Sequence, residues 1–159
     1  MKKREMIAAG EPAAGFELYR LDGGKASLAE LTASGPAVVA FFKISCPTCQ
    51  LTMPYLGRIH AGGKLAVYGV SQDDESATRS FNQRFGVKLP TLLDAGAEGY
   101  PASNAYGITH VPSIFVVEPD GKVSAAWTGF SRRDMEALGE RAGSPPFEPG
   151  EQVPGFKAG

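Results

Sequence analysis

A chain of 159 residues with 16 Lys and Arg against 17 Asp and Glu has a formal charge of −1, which removes the electrostatic footprint of a nucleic-acid binder. With 43% hydrophobic and 21% charged residues, the composition is that of a globular protein rather than a disordered or fibrous one. One domain of this length buries about 68–70% of its unfolded surface, so its core needs neither disulfide nor metal to hold it. The longest apolar stretch, Ala37 to Phe42, is far short of the roughly 20 residues that cross a bilayer.

The opening Met1-Lys2-Lys3-Arg4 looks like the charged start of a signal peptide, but Gly10, Glu11 and Pro12 break the apolar run that should follow. A cytoplasmic protein is expected, or a periplasmic or other extracytoplasmic one if a native leader has been removed. Residues 1–12 read as an N-terminal segment, 13–143 as one domain and 144–159 as a Pro- and Gly-rich tail.

Alternation in Phe16 to Leu21, followed by Asp22-Gly23-Gly24, predicts a strand entering a turn. Ser27 with Glu30 three residues on is a capping box, so a short helix runs from Ser27 to Ala33, ended by Gly35-Pro36. The run Val38 to Ile44 is nearly all branched or aromatic and predicts a central strand covered on both faces. A helix begins at Cys46-Pro47, where proline's missing N–H costs nothing, and reaches His60. Leu65 to Val70 is the next buried strand, and Ser76 to Phe85 a helix stopped by Gly86. Thr91 to Leu93 and a helix from Pro101 to Tyr106, closed by Gly107, form a small insert between about Leu89 and Gly107. Ser113 to Glu118, the turn at Pro119-Asp120-Gly121-Lys122, and Val123 to Thr128 predict an antiparallel hairpin. Arg132 to Arg141 is a last amphipathic helix, and from Ser144 onward no periodicity supports any structure.

Cys46-Pro47-Thr48-Cys49 carries the chemistry. These are the only two cysteines, and they stand three positions apart where a buried strand hands over to a helix, so both sulfurs lie on one face within disulfide reach. Free amide groups at the helix start favour a thiolate at Cys46, while Cys49, one turn in, is more buried. Thiol-disulfide exchange follows, with Cys46 as nucleophile and Cys49 as resolving thiol. Two blander readings compete. The cysteines could simply pack, or they could bind zinc with His60 and His110, whose separation of 50 residues does not fit the short spacing of a finger.

Strand, Cys-x-x-Cys helix, strand, helix, then Val111-Pro112 before a hairpin and a final helix resembles the thioredoxin superfamily from about Phe16 to Arg141. Gly15-Phe16, Leu21-Asp22-Gly23, Val70-Ser71-Gln72-Asp73 and Glu118-Pro119-Asp120-Gly121-Lys122 resemble its TlpA-like, redoxin branch of thiol-disulfide oxidoreductases. Pro54 falls where that family kinks its active-site helix. The resemblance implies an α/β thioredoxin-like fold: a central mixed β-sheet flanked by helices, with an N-terminal extension and the small insert before the cis-proline loop. It makes Pro112 the cis-proline facing the cysteine pair. Val111 becomes the residue whose backbone pairs with a bound substrate chain, with Thr109 and His110 at the rim.

The departures matter as much. The aromatic residue that often precedes the first cysteine is Ser45, the buried acid six positions before it is Ala40, and the glutamate three positions after the second cysteine is Thr52. Lys43, Asp73 and Asp74 are the charges available to replace those acids, and Pro47 and Thr48 tune the pair from between the sulfurs.

The implied activity is disulfide exchange with a protein or small-molecule disulfide. An unidentified thiol reductant or oxidant recycles the pair, and the Cys46–Cys49 disulfide itself serves in place of any cofactor or metal. A peroxiredoxin-like thiol peroxidase is the nearest alternative, although Lys43 stands where that family has a threonine. A non-enzymatic redoxin domain that senses redox state or carries a soft metal is the other.

Overall fold

The computed structural model describes residues 5–159, so the charged opening Met1-Lys2-Lys3-Arg4 lies outside the described residues. Glu17–Arg20 (β1), Lys25–Ser27 (β2), Ala37–Phe42 (β3), Ala66–Ser71 (β4), Thr91–Leu93 (β5), Ser113–Val117 (β6) and Val123–Thr128 (β7) form one sheet in the order β2-β1-β5-β4-β3-β6-β7. As its unbroken apolar pattern requires, β3 sits centrally, parallel to β4 and antiparallel to β6, with every residue buried. The sheet is mixed: β4 and β5 are parallel, while the β1–β2 and β6–β7 hairpins are antiparallel.

The two-residue period of β3 divides the core into two layers. Val38, Ala40 and Phe42 pack with Met53, Leu56 and Ile59 of Pro47–Ala61 (α2), Phe81 of Glu75–Phe85 (α3), and Met135 and Leu138 of Arg132–Ala142 (α5). On the opposite face Val39 and Phe41 pack with Leu28 and Leu31 of Leu28–Leu31 (α1), Tyr106 of Pro101–Tyr106 (α4), and Ile7. Each such large apolar side chain taken fully out of water contributes roughly 1.5–3 kcal/mol before entropy is set against it.

Local signals account for the helix ends. The Ser27–Glu30 capping box is formed, although α1 is only one turn. Asp74 caps α3 by accepting from Ala77 N–H at 2.8 Å, and Gly86 stops it in the left-handed region at φ 63°. The predicted insert is woven into the fold: β5 joins the main sheet between β1 and β4, and α4 covers the other face. Asp94, fully buried just after β5, fixes that arrangement by accepting from the N–H groups of Ala102 and Ser103 at 2.9 and 2.8 Å.

The segment after Ser144, expected to be without structure, is instead packed. Ser144 Oγ donates to Arg58 O at 3.1 Å, and the Arg58 guanidinium donates to Pro146 O and holds Glu151 through both oxygens at 2.7 and 3.0 Å. The Phe147 ring lies 4.9 Å from Tyr55 and 6.0 Å from Phe130. Phe156–Lys157 (β9) then pairs antiparallel with Phe130–Ser131 (β8), the short strand just after β7. Single long-range anchors, invisible to periodicity, order a stretch that has none of its own. Among the described residues no helix is long and apolar enough to cross a membrane.

Candidate active site

At the carboxyl end of β3 the chain turns through Lys43, Ile44 and Ser45, and Cys46 becomes the N-cap of α2 with Pro47 as its first helical residue. A cap residue accepts from amides the helix cannot pair, and here the acceptor is sulfur: Cys49 N–H points at Cys46 Sγ, 3.1 Å away. That donor stabilises negative charge developing on the sulfur. On its other side Cys46 Sγ lies 3.4 Å from the carbonyl oxygen of Val111. Cys46 is half-buried and Cys49 completely buried, and neither is in a disulfide. Burial pushes the Cys49 thiol well above its ordinary range, and its hydrogen bond with Cys46 adds to the shift.

The Val111-Pro112 peptide bond is cis, as the resemblance implied. Its loop is held by Ser113 Oγ, which donates to His110 O at 2.7 Å, and by Gly129 N–H, which donates to Pro112 O at 2.8 Å. This loop and the start of α2 line an open cavity of about 490 Å³. Its walls bring together Cys46, Pro47, Lys43, Thr109, His110 and Val111, all predicted from sequence. Thr109 and His110 are exposed, with Thr109 Oγ1 and His110 Nδ1 3.0 Å apart.

Other predicted residues stand off the cavity. Pro112 is buried behind Val111. Thr48 turns away, its hydroxyl donating to Ala158 O at 2.6 Å. Asp73 ties the ends of β3 and β4 together by accepting from Ile44 N–H at 2.8 Å, and its charge opposes ionisation of Cys49. Asp74 is occupied as a helix cap. Where the family carries acids, Ala40 and Thr52 are fully buried, and Thr52 Oγ1 donates to Thr48 O at 2.7 Å. Among the described residues, then, no carboxylate is hydrogen-bonded to either sulfur. His60 is no partner for the cysteines, because its Nδ1 accepts from Val67 N–H at 3.0 Å.

Sequence reasoning missed the far wall. Gln72, Tyr100, Ser103, Asn104 and Gly159 also line the cavity. Gln72 Nε2 donates to Ser103 Oγ at 2.8 Å, and that hydroxyl donates in turn to buried Asp94 at 2.5 Å. One signal pointed to Gln72: it follows the carboxyl end of β4 beside β3, and sites in parallel sheets form outside such strand ends. For Tyr100, which stands in the left-handed region at φ 53°, no local pattern would have done so.

The sequence matches the AhpC/TSA family over residues 9–126. The chain belongs to that family. It is 28% identical over 138 residues to the thiol-disulfide oxidoreductase ResA of Halalkalibacterium halodurans, covering 83% of this chain and 75% of that one. To ResA of Bacillus subtilis it is 26% identical over 137 residues, covering 83% and 74%. The thioredoxin domain of a thiol-disulfide oxidoreductase from Bacteroides vulgatus superposes with a TM-score of 0.74 at 24% identity, covering 85% of this chain and 97% of that one. Peroxidoxin BcpB from Mycobacterium tuberculosis gives 0.67 at 23%, covering 86% and 94%. These last two likenesses speak to the fold alone. With its two adjacent thiols, this AhpC/TSA member is a thiol-disulfide oxidoreductase of thioredoxin-like fold.

Proposed function

We propose that Cys46 and Cys49 exchange two electrons with polypeptide disulfides at the Val111 edge, the couple itself being the redox group. The observation that carries this is the disposition of the sulfurs: one half-buried at a cavity wall with an amide aimed at it, the other sealed in the core directly beneath.

Cys46 first loses its proton to solvent. Its thiolate attacks one sulfur of the substrate disulfide, forming a Cys46–substrate bond while the other substrate sulfur leaves as a thiolate. That leaving thiolate takes the proton of Cys49, to which no carboxylate among the described residues is hydrogen-bonded. The Cys49 thiolate then attacks the Cys46 sulfur, closing the internal disulfide and releasing the second substrate thiolate, which picks up a proton from solvent. The substrate disulfide has been reduced and the dithiol oxidised, and the steps run in reverse when the protein acts as oxidant. Val111 presents its carbonyl to the incoming chain, Thr109 and His110 form the rim, and Lys43 supplies a cation beside the substrate path. A second dithiol or disulfide returns the couple to its starting state.

The peroxidase reading is not favoured: the residue three before Cys46 is exposed Lys43, which has no hydroxyl to position a peroxide. Reduction of insulin by the full chain tests the function. Cys46→Ser abolishes turnover and Cys49→Ser accumulates a substrate mixed disulfide visible by mass spectrometry. Full turnover by the Cys46 variant contradicts the assignment.

A further inference from the structure

The C-terminal segment reaches the active site by way of residues whose own shapes accommodate it. Arg132 N–H donates to Gly155 O at 2.9 Å, and β9 pairs with β8 through Ser131 with Phe156 and Phe130 with Lys157. Past β9, Ala158 O accepts the Thr48 hydroxyl from between the two cysteines. At Gly129 a side chain would meet the oncoming backbone, since a Cβ there would lie 2.6 Å from Lys157 O. At Gly159 a Cβ would collide with Val111 O, the same carbonyl that faces Cys46 Sγ. The segment thus lies on the edge that an extended substrate chain would pair with.

Its burial is one-sided. Residues 155–159 are all exposed, Phe156 being 64% exposed, whereas Thr48, Pro112 and Gly129 beneath them are buried. Such a segment is held by few apolar contacts of its own and can open locally, while Phe147 and the Arg58–Glu151 pair keep its upstream end attached. The cavity bounded by Lys43, Tyr100, Asn104 and His110 is open beside it, and about 490 Å³ is within the range of small-molecule clefts.

We propose that residues 155–159 are a built-in occupant of the substrate-docking edge and determine which disulfides reach Cys46. Small disulfides enter through the cavity with the segment in place, and polypeptide disulfides react only after it lifts. This rests on the exchange function proposed above.

The test compares the full chain with one shortened after Pro154, measuring kcat/KM for insulin and for bis(2-hydroxyethyl) disulfide. A binding-competent open form populated at about 10% or less lowers apparent affinity by at least about tenfold, so shortening raises the insulin value by that factor. The small disulfide is unchanged. An unaltered ratio between the two substrates, or a parallel fall in both, overturns the proposal. No turnover of either substrate by either chain removes the exchange reading itself. A second measurement does not depend on the shortened chain folding. Cys49→Ser protein is trapped as a mixed disulfide with a cysteine-containing peptide or with 2-mercaptoethanol, and amide hydrogen exchange is followed. Arg132 N–H loses protection with the peptide and keeps it with the small thiol. Protection retained in both adducts refutes the lifting step.

Discussion

Alkaline titration of the reduced protein isolates the buried thiol. Cys49 has no exposure to solvent and sits among Phe42, Met53 and their neighbours, so ionising it in the folded state means placing a charge in a dry core. In the unfolded chain the same thiol ionises near pH 9.0. Its folded value is raised, so its stabilising contribution is complete below that pH and declines as the pH rises, because the unfolded state sheds a proton that the folded state keeps. One proton corresponds to about 1.4 kcal/mol per pH unit, so about 2 kcal/mol is lost between roughly pH 9 and 10.5. Urea melts of the reduced protein and of Cys49→Ala at each pH provide the assay, since the difference cancels the tyrosine and lysine titrations common to both. The advantage of the wild type should shrink by that amount across the window. A difference that stays constant refutes the buried-thiol argument, and with it the account of why closing the internal disulfide needs a proton acceptor.

Two further outcomes follow from buried polar atoms away from the cysteines. Tyr106 packs its ring against Phe41 and Phe115 at 5.2 and 5.0 Å while its hydroxyl, fully buried, has no partner among the described residues; Tyr106→Phe therefore raises stability by about 1 kcal/mol or more in a urea melt, and a loss would show that the hydroxyl is satisfied. Burial holds His60 below the usual imidazole range, and its Nδ1 can accept from Val67 N–H only when neutral. Its contribution is present above about pH 6.5 and lost as pH falls, so His60→Asn, which retains an acceptor without the titration, flattens the acid limb of the stability profile. An unchanged limb would contradict this.

What could be read in advance was what local chemistry determines. The nearly continuous apolar run from Val38 to Ile44 placed a central strand, Pro47 placed the helix start, and together they put Cys46 at the helix N-terminus with Cys49 one turn in and more buried. The Val111-Pro112 loop came from the family resemblance, since nothing in its spacing marks a cis bond or says what it faces. The wall built by Gln72, Tyr100, Ser103 and Asn104 depends on how the β5–α4 region folds over the strand ends, which buried Asp94 enforces at a distance. The C-terminal segment was illegible for a sharper reason. Glu151 and Arg58 are 93 positions apart, and a stretch held by an ion pair, an aromatic ring, scattered hydrogen bonds and a two-residue strand carries no repeat to detect. Ala40 and Thr52, where the family carries acids, lie in the core, and among the described residues no carboxylate is hydrogen-bonded to either sulfur.

A reversible two-electron couple between Cys46 and Cys49 can be read by equilibrating the protein across glutathione redox buffers and counting free thiols by mass tagging. Both cysteines should disappear together in one transition. A midpoint near about −270 mV marks a reductant suited to the cytoplasm, and one near about −120 to −180 mV an oxidant or isomerase suited to an extracytoplasmic compartment. Thiols that stay free across the whole range, or that form mixed disulfides with glutathione independently of each other, would contradict the account.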